Sequence, residues 1–565
     1  MKTMKNSTFL ALALGLVSPC NSPQQKNEKK ETQSKPNIIL LVADDLGFSD
    51  IGPFGGNIQT PVLDKFATES MRFSSFHVLP TCSPTRSVLL TGNDNHISGL
   101  GTMTEMIYPA LKGLPGYLGH LNDQVVTLPE ILRQHGYHTY MAGKWHLGDV
   151  EGQTPHDRGF EESFALLQGG GSHYADQKSL SPLQGVDYLS NGKKVATLPA
   201  DFYSTRNYTD TLISYIEKNK ADQKPFFMYA AYTAPHDPLH APKEYIEKYR
   251  GKFDMGWDSL RNLRLNNLKA LGIISKDVND FAPSGVPKWE SLSAQQKKEY
   301  ARTMEVYAAM VDYLDMSIGR IITYLKQEGL YDNTMILFMS DNGANGAPAT
   351  AYPGNADGKY LGTFNNSLEN RGLPGSLIDM GPGWAQASSS PFRLFKAFTS
   401  EGGIRAPLMI KMPASGMKHE GEWNKSFVHV SDIMPTVLAL AGANYPQNKN
   451  GNPLKQPIGQ SLLPLLNGET TALSAEKAMG WELFEGKAYI KGNWKILRLG
   501  KPFGTGDWQL YDLEKDPGEM NDLSKQFPAK RDSLINDWMQ YANANGVIDH
   551  KGFYDAFLQK NLGGK

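Results

Sequence analysis

Cysteine is almost absent from this chain, with two among 565 residues, Cys20 and Cys82. Cys20 lies at the edge of an N-terminal export-like segment. Loss or lipidation of that end leaves Cys82 alone and excludes a structural disulfide within the mature chain. Long apolar runs are missing as well. Phe9–Val17 is too short to cross a bilayer, and no later segment has the length and character of a membrane helix. Nor does either charge prevail, because 57 Lys and Arg against 58 Asp and Glu leave a net charge of -1. No global field draws the chain to nucleic acid or to an anionic membrane, so an anionic ligand must be held by local charge.

What is there begins with MKTMKNSTFLALALGLVSPC at 1–20. Lys2 and Lys5 form a basic region ahead of the apolar Phe9–Val17, the pattern of an export signal, and a polar linker follows at 21–35. The chain is expected to be exported and periplasmic. Cys20 is a candidate for a lipid anchor, although Pro19 is a poor fit to either common cleavage pattern.

Strands alternate with helices beyond residue 36, which predicts an α/β fold: a mostly parallel central sheet flanked by helices. Asn37–Ala43 (NIILLVA) is a continuous apolar run suited to burial on both faces, and it ends in Asp44-Asp45. Tyr137–Ala142 ends in Gly143-Lys144-Trp145-His146, Lys224–Tyr232 in Thr233-Ala234-Pro235-His236, and Thr334–Ser340 in Asp341-Asn342-Gly343. One Asp after a strand commonly just caps the next helix. Four polar endings on one edge of a parallel sheet point instead to a single site, since ligands bind at the carboxyl ends of such strands.

The chemistry of that site can be sorted by charge. Asp44, Asp45, Asp341 and Asn342 offer oxygens only, and three carboxylates share a pocket only if protonated or neutralised by a cation. An all-oxygen set suits Ca²⁺ or Mg²⁺ rather than zinc. Lys144, His146, His236 and Lys396 add positive charge and proton donors, a combination fitted to a multiply oxygenated anion. Taken singly, each of these four has an ordinary structural explanation. Of the 13 histidines, His77, His120, His135, His138, His419 and His550 have no supporting context, and His96 and His240 stay unassigned.

Cys82 opens the stretch Cys82-Ser83-Pro84-Thr85-Arg86. Ser83 and Pro84 are helix-opening residues, with a helix through Ser87–Thr91 and a stop at Gly92. Cys82 is expected just before the helix, where free N–H groups favour anions, with Arg86 one turn on and facing the same way.

These five residues resemble the C-x-P-x-R signature of type I sulfatases. VADDLGFSDIGPFGG (42–56), MAGKWHLG (141–148), TAPHDP (233–238), SDNG (340–343) and KAFTSEGGIRAP (396–407) follow in that family's order. The likeness runs from about Pro36 to the C-terminus, and 256–274 and 381–403 look most like bacterial arylsulfatases. The resemblance implies an alkaline phosphatase-like fold and conversion of Cys82 to formylglycine by a sulfatase-maturating enzyme. It implies one Ca²⁺ on Asp44, Asp45, Asp341, Asn342 and modified Cys82. It also implies attack on sulfur by a hydroxyl of the hydrated aldehyde, with Asp341 taking the proton and Arg86 holding the diol. Lys144 and Lys396 would clamp the sulfate, His236 would protonate the leaving oxygen, and His146 would take the proton whose loss expels sulfate.

The expected organisation is a catalytic domain at 36–441, a connection at 442–466 and a small C-terminal α+β domain at 467–565. A long packing helix is predicted over Ser293–Leu325, and a loop bordering the site over Gly343–Arg393. The expected activity is hydrolysis of sulfate monoesters, aryl or alkyl first and carbohydrate sulfates as the wider class. A phosphate or phosphonate ester hydrolase of the same superfamily and a non-catalytic lipoprotein that binds sulfated glycans are the alternatives.

Overall fold

The computed structural model describes residues 35–550 except Ala282, Ser415 and Met417, together with Thr8, Leu10 and Ala11. Those three positions apart, the export signal, Cys20 and the linker through residue 34 lie outside the described residues, as does the end at 551–565.

The main sheet has strands β1 (Asn37–Ala43), β2 (Met71–Phe73), β3 (His138–Lys144), β4 (Glu162–Leu166), β5 (Tyr188–Ser190), β6 (Lys193–Lys194), β7 (Phe226–Ala231), β8 (Thr334–Ser340), β9 (Leu408–Lys411) and β10 (Trp423–Asn424). Their spatial order is β10-β2-β9-β8-β1-β7-β3-β4-β5-β6. The centre, β8-β1-β7-β3-β4, is parallel throughout, and β9 and β5 join it antiparallel. Strand β1 pairs with both β7 and β8, and all seven of its residues are buried. That is why its sequence is uninterrupted aliphatic rather than alternating. Truncating Leu40, which has no exposed surface, to alanine costs about 2–5 kcal/mol on the usual core scale.

The expected long helix runs from Ala294 to Gln327, and it starts where Ser293 and Gln296 form a reciprocal cap. Such a cap satisfies two backbone donors that the first turn leaves free. It packs on Ser204–Asn219 and Lys243–Lys248. The helix carrying Cys82 spans Cys82–Thr91, with Thr81 as its N-cap and Gly92 closing it at a φ of 68°. Cys82 is therefore the first helical residue rather than the one before it. The extended backbone of Thr81 (φ -149°, ψ 163°) ends one position earlier than the Ser-Pro signal suggests.

Beyond residue 442 the chain makes a two-residue-per-strand ladder at 448–453 and a short helix, Leu463–Leu466. An antiparallel sheet follows, β11 (Ala478–Leu483), β12 (Gly486–Lys491), β13 (Trp494–Arg498) and β14 (Gln509–Asp512), covered by the helix Pro528–Asn545. Lys487–Ile490, Trp494–Leu497 and Trp508–Tyr511 read as strands from their sequence, and β11 is the one of the four that does not. Trp481 of β11 is fully buried in the same core as β1, and its indole N–H donates to the Val78 carbonyl at 2.9 Å. Lys495, Glu401 and Glu519 form a buried ion cluster between the large sheet and the small one.

Candidate active site

Because β1, β3, β7 and β8 are mutually parallel, their carboxyl ends share an edge, and the polar residues that follow them converge there. Asp44 N–H donates to the Ala234 carbonyl at 3.1 Å, and Asp341 N–H to that of Ala43 at 3.1 Å. The turns after β1, β7 and β8 are thus stitched together before any side chain is considered. Asp45 and His146 both take left-handed backbone conformations, φ 65° and 57°, which non-glycine residues adopt at a cost of order 1 kcal/mol or more. Gly143 makes room at the end of β3, where a Cβ would lie 1.8 Å from the Ala231 carbonyl oxygen.

All ten residues singled out from the sequence meet at or beside this edge, and each is buried. The Cys82 thiol lies 3.3 Å from Asp44 Oδ1 and 3.8 Å from Asp45 Oδ1. Arg86 donates from Nε and Nη2 to Asp341 Oδ2 at 2.9 and 2.7 Å, and from Nη1 to the Lys144 carbonyl and the Tyr229 hydroxyl. Lys144 Nζ sits 2.8 Å from Asp44 Oδ2, and Lys396 Nζ 2.9 Å from Asp45 Oδ2. His236 Nε2 is 3.4 Å from Asp45 Oδ2, and its Nδ1 is 2.6 Å from the Asp237 carbonyl. That carbonyl can only accept, so Nδ1 carries a proton and Nε2 is the exchangeable position.

The electrostatics follow from this packing. Burial would raise the Asp44 carboxyl, but Lys144, His236, Arg86 and Lys396 outweigh it and hold Asp44 well below the usual carboxylate range. Asp341 moves the other way, to about 7, through burial and then the charge of Asp44. Lys144 and Lys396 stay charged because Asp44 and Asp45 more than offset their burial. Burial and Asp44 push the Cys82 thiol up, so an unmodified Cys82 is held as S–H and is not a thiolate nucleophile. Burial lowers His236 to about 4.

The donor set fits a hard divalent cation. Asp44, Asp45, Cys82 and His236 offer ligand atoms that all lie within 4.8 Å of one another. Asp341 flanks them, with Oδ1 accepting from Asp45 N–H at 3.2 Å. Lys144 sits on Asp44 Oδ2 and Lys396 straddles both Asp45 oxygens, while the two Oδ1 atoms turn toward Cys82. Asn342 Nδ2 donates to Asp45 Oδ1 at 2.6 Å, and Asn342 Oδ1 is buried with no partner. An orphaned carbonyl oxygen among carboxylates costs about 1–3 kcal/mol, and a cation relieves that cost.

A cavity of about 250 Å³ opens on Cys82, His146, His236 and Lys396. Its walls are Met103, Met106, Leu180, Phe395, Phe398, Phe484 and Phe503, with Asn345–Pro348, Ala351 and Tyr352 from the loop at 343–393. The loop's border position was legible in its composition. The aromatic wall was not, because Phe484 and Phe503 come from turns between strands of the C-terminal sheet, more than 400 positions from Cys82. Two polar residues were missed as well. Tyr229, inside an apolar strand, fixes Arg86. Glu105 lies 3.1 Å from His146 Nε2, and nothing in GTMTEM marks it.

Comparisons with known proteins identify the family and the fold. The sulfatase family model matches residues 36–443, and the model for the C-terminal part of N-sulphoglucosamine sulphohydrolase matches 392–544. An uncharacterized sulfatase of Schizosaccharomyces pombe is 43% identical over 95% of this chain and 98% of its own. An arylsulfatase of Klebsiella aerogenes is 40% identical over 79% of this chain and 93% of its own. The crystal structure of Ps i-CgsB in complex with k-i-k-neocarrahexaose superposes with a TM-score of 0.64 at 25% identity, covering 94% of this chain and 98% of that one.

Proposed function

The chain belongs to the sulfatase family, and on that premise we propose that it hydrolyses aryl and alkyl sulfate monoesters, with Cys82 converted to formylglycine and one calcium ion bound. The observation that carries the choice of leaving group is the cavity wall. Phe395, Phe398, Phe484 and Phe503 line the same cavity as Lys396 and His236, which supports an apolar leaving group beside a sulfate held by those two. A sugar needs several hydrogen-bonding partners at that place, and an apolar ring needs none. At about 250 Å³ the space is below the roughly 300–1,000 Å³ that drug-sized ligands fill, which favours a compact leaving group.

Asp44, Asp45, Asp341 and Asn342 would hold the calcium ion, which supplies fixed positive charge for a sulfate oxygen, and the converted residue 82 supplies the oxygen nucleophile. The chain's own groups do the rest. Lys396 and Lys144 bring ammonium charge to the sulfate, and a preorganised cation gains strength from the dry surroundings. Arg86 fixes Asp341 beside residue 82, where its carboxylate can take up a proton. His236 keeps its Nδ1 proton on the Asp237 carbonyl and delivers a proton from Nε2 to the departing oxygen. Burial lowers its proton affinity, and a neighbouring anion raises it. His146 takes up the proton whose loss lets sulfate go.

The test is direct. Matured enzyme should cleave a chromogenic aryl sulfate, and its residue-82 peptide should be lighter by the sulfur–oxygen difference plus two hydrogens. Cys82→Ala should be inactive. Undiminished turnover by that variant removes formylglycine from the account, and faster cleavage of the matched phosphate ester reassigns the enzyme to phosphoryl transfer. An intact thiol without activity in any preparation favours the non-catalytic glycan-binding alternative. Export to the periplasm belongs to the same proposal and is tested by cell fractionation.

A further inference from the structure

Among the described residues, Glu105 is the one carboxylate that touches a proposed catalytic histidine without belonging to the acidic cluster. It sits in a single 3-10 turn, Thr104–Met106, between two residues of the apolar wall, Met103 and Met106. Glu105 Oε2 lies 3.1 Å from His146 Nε2, while His146 Nδ1 is buried with no hydrogen-bond partner. Gly169 closes the contact from the far side, where a Cβ would lie 2.7 Å from His146 Cε1 and 2.9 Å from Glu105 Oε1. The left-handed backbone at His146, φ 57°, completes an imidazole held from three directions.

We propose that Glu105 is the positioning residue of His146: its carboxylate accepts a hydrogen bond from Nε2–H, fixes that tautomer, and leaves the unpartnered Nδ1 lone pair as the base. A carboxylate accepts and cannot donate, so Nε2 must carry the hydrogen, and Nδ1 is the only ring nitrogen left to take another. When Nδ1 takes a proton, the ring becomes an imidazolium whose second N–H stays on Glu105. The new positive charge then forms beside a negative one. Burial opposes ionisation of Glu105, but the neighbouring imidazole carries its carboxyl down to about 2, so the acceptor is charged at any working pH. Burial lowers His146, which keeps the ring neutral and the lone pair available before reaction. Assigning Nδ1 to the step that releases sulfate rests on the sulfatase reading above, whereas the tautomer itself does not.

The experiment therefore reads both. Protein labelled with ¹⁵N-histidine and retaining an unconverted Cys82 is studied by long-range ¹H–¹⁵N NMR, with His146 assigned by its loss in His146→Asn. The expected result is an Nε2–H, bare-Nδ1 ring that loses this pattern in Glu105→Gln. In matured enzyme, Glu105→Gln should lower kcat by about 10- to 100-fold with KM nearly unchanged, and Glu105→Asp should recover part of the loss. An Nδ1–H ring in the unsubstituted protein overturns the proposal even if the variants fail to fold. A tautomer indifferent to Glu105→Gln, or a kcat that does not move, overturns it too. The expected tautomer in a protein that cleaves no sulfate ester leaves the positioning intact and sinks the sulfatase reading.

Discussion

Arg86 and Asp341 stand 255 positions apart in the chain, yet two guanidinium nitrogens of one converge on a single carboxylate oxygen of the other at 2.9 and 2.7 Å. Neither side chain is exposed to solvent. This contact ties the helix that begins with Cys82 to the end of the strand Thr334–Ser340, and so sets where residue 82 lies relative to the acids. Truncating Arg86 to methionine removes the partner of a buried carboxyl and should cost about 3–5 kcal/mol in urea unfolding of the unconverted protein. Arg86→Lys keeps the charge but cannot fork. It should recover part of that stability while kcat/KM stays low in the matured enzyme.

Calcium should stabilise the protein, and the unpaired Asn342 oxygen should be part of the reason. A ligand that binds only the folded state adds about 2.7 kcal/mol at 100 times its Kd, enough to move a calorimetric Tm by about 2 degrees in a chain of this length. Chelation should reverse the rise. Asn342→Ala should show a smaller calcium-induced shift when each protein is read against its own baseline in chelator, a baseline that loss of the Nδ2 hydrogen bond to Asp45 also lowers. An equal shift in both proteins would remove Asn342 from the ion's surroundings.

His96 gives a pH signature remote from chemistry. Its Nδ1 meets Asp94 at 3.1 Å and its Nε2 meets Glu482 at 3.2 Å, and Tyr541 donates to the other Asp94 oxygen at 2.7 Å. Burial would lower His96, but the hydrogen bonds and charges of Asp94 and Glu482 prevail and raise it from 6.5 to about 9. A folded-state pKa above the unfolded one contributes stability fully below 6.5 and loses it as pH rises through about 9. The contribution is on the order of 3 kcal/mol. Urea midpoints should fall across that window, and His96→Gln should flatten the fall. The same substitution should loosen the strand Ala478–Leu483, visible as faster amide exchange.

Phe503 should govern the leaving group. Its ring lies 4.6 Å from that of Phe398 and both line the cavity. Phe503→Ala should lower kcat/KM for a bicyclic aryl sulfate roughly tenfold through KM, since an apolar contact of this size is worth about 1–3 kcal/mol. A methyl-sized alkyl sulfate, too short to reach the wall, should be cleaved as before. Equal losses on both esters would mean that the ring supports the fold rather than the substrate.

Much of this site was legible along the chain. Asn37–Ala43 and Thr334–Ser340 have the bounds that their apolar runs suggested, because a strand buried on both faces cannot tolerate a polar interruption. The acids, Lys144 and the two histidines at the strand ends were legible for a related reason: in a parallel sheet, being last on a strand already means being at the shared edge, whereas Lys396 follows no strand. Cys82 and Arg86 were marked by a short motif, and even there the helix began one residue earlier than its Ser-Pro signal.

The rest depended on encounters that no local pattern encodes. Glu105 sits in a one-turn segment without periodicity and acquires its meaning only from lying against His146 and Gly169. Phe484 and Phe503 sit in turns of a different sheet and reach the cavity because the two sheets share a core. His96 is an ordinary histidine until Glu482 arrives from 386 positions away. Periodicity and strand ends are written in neighbouring residues, so sequence alone determined the four neighbouring strands at the sheet's centre and the chemical inventory at their ends. Which groups orient that inventory, and what shape of alcohol it admits, was decided by side chains brought together through space, where burial and charge depend on the whole packed molecule.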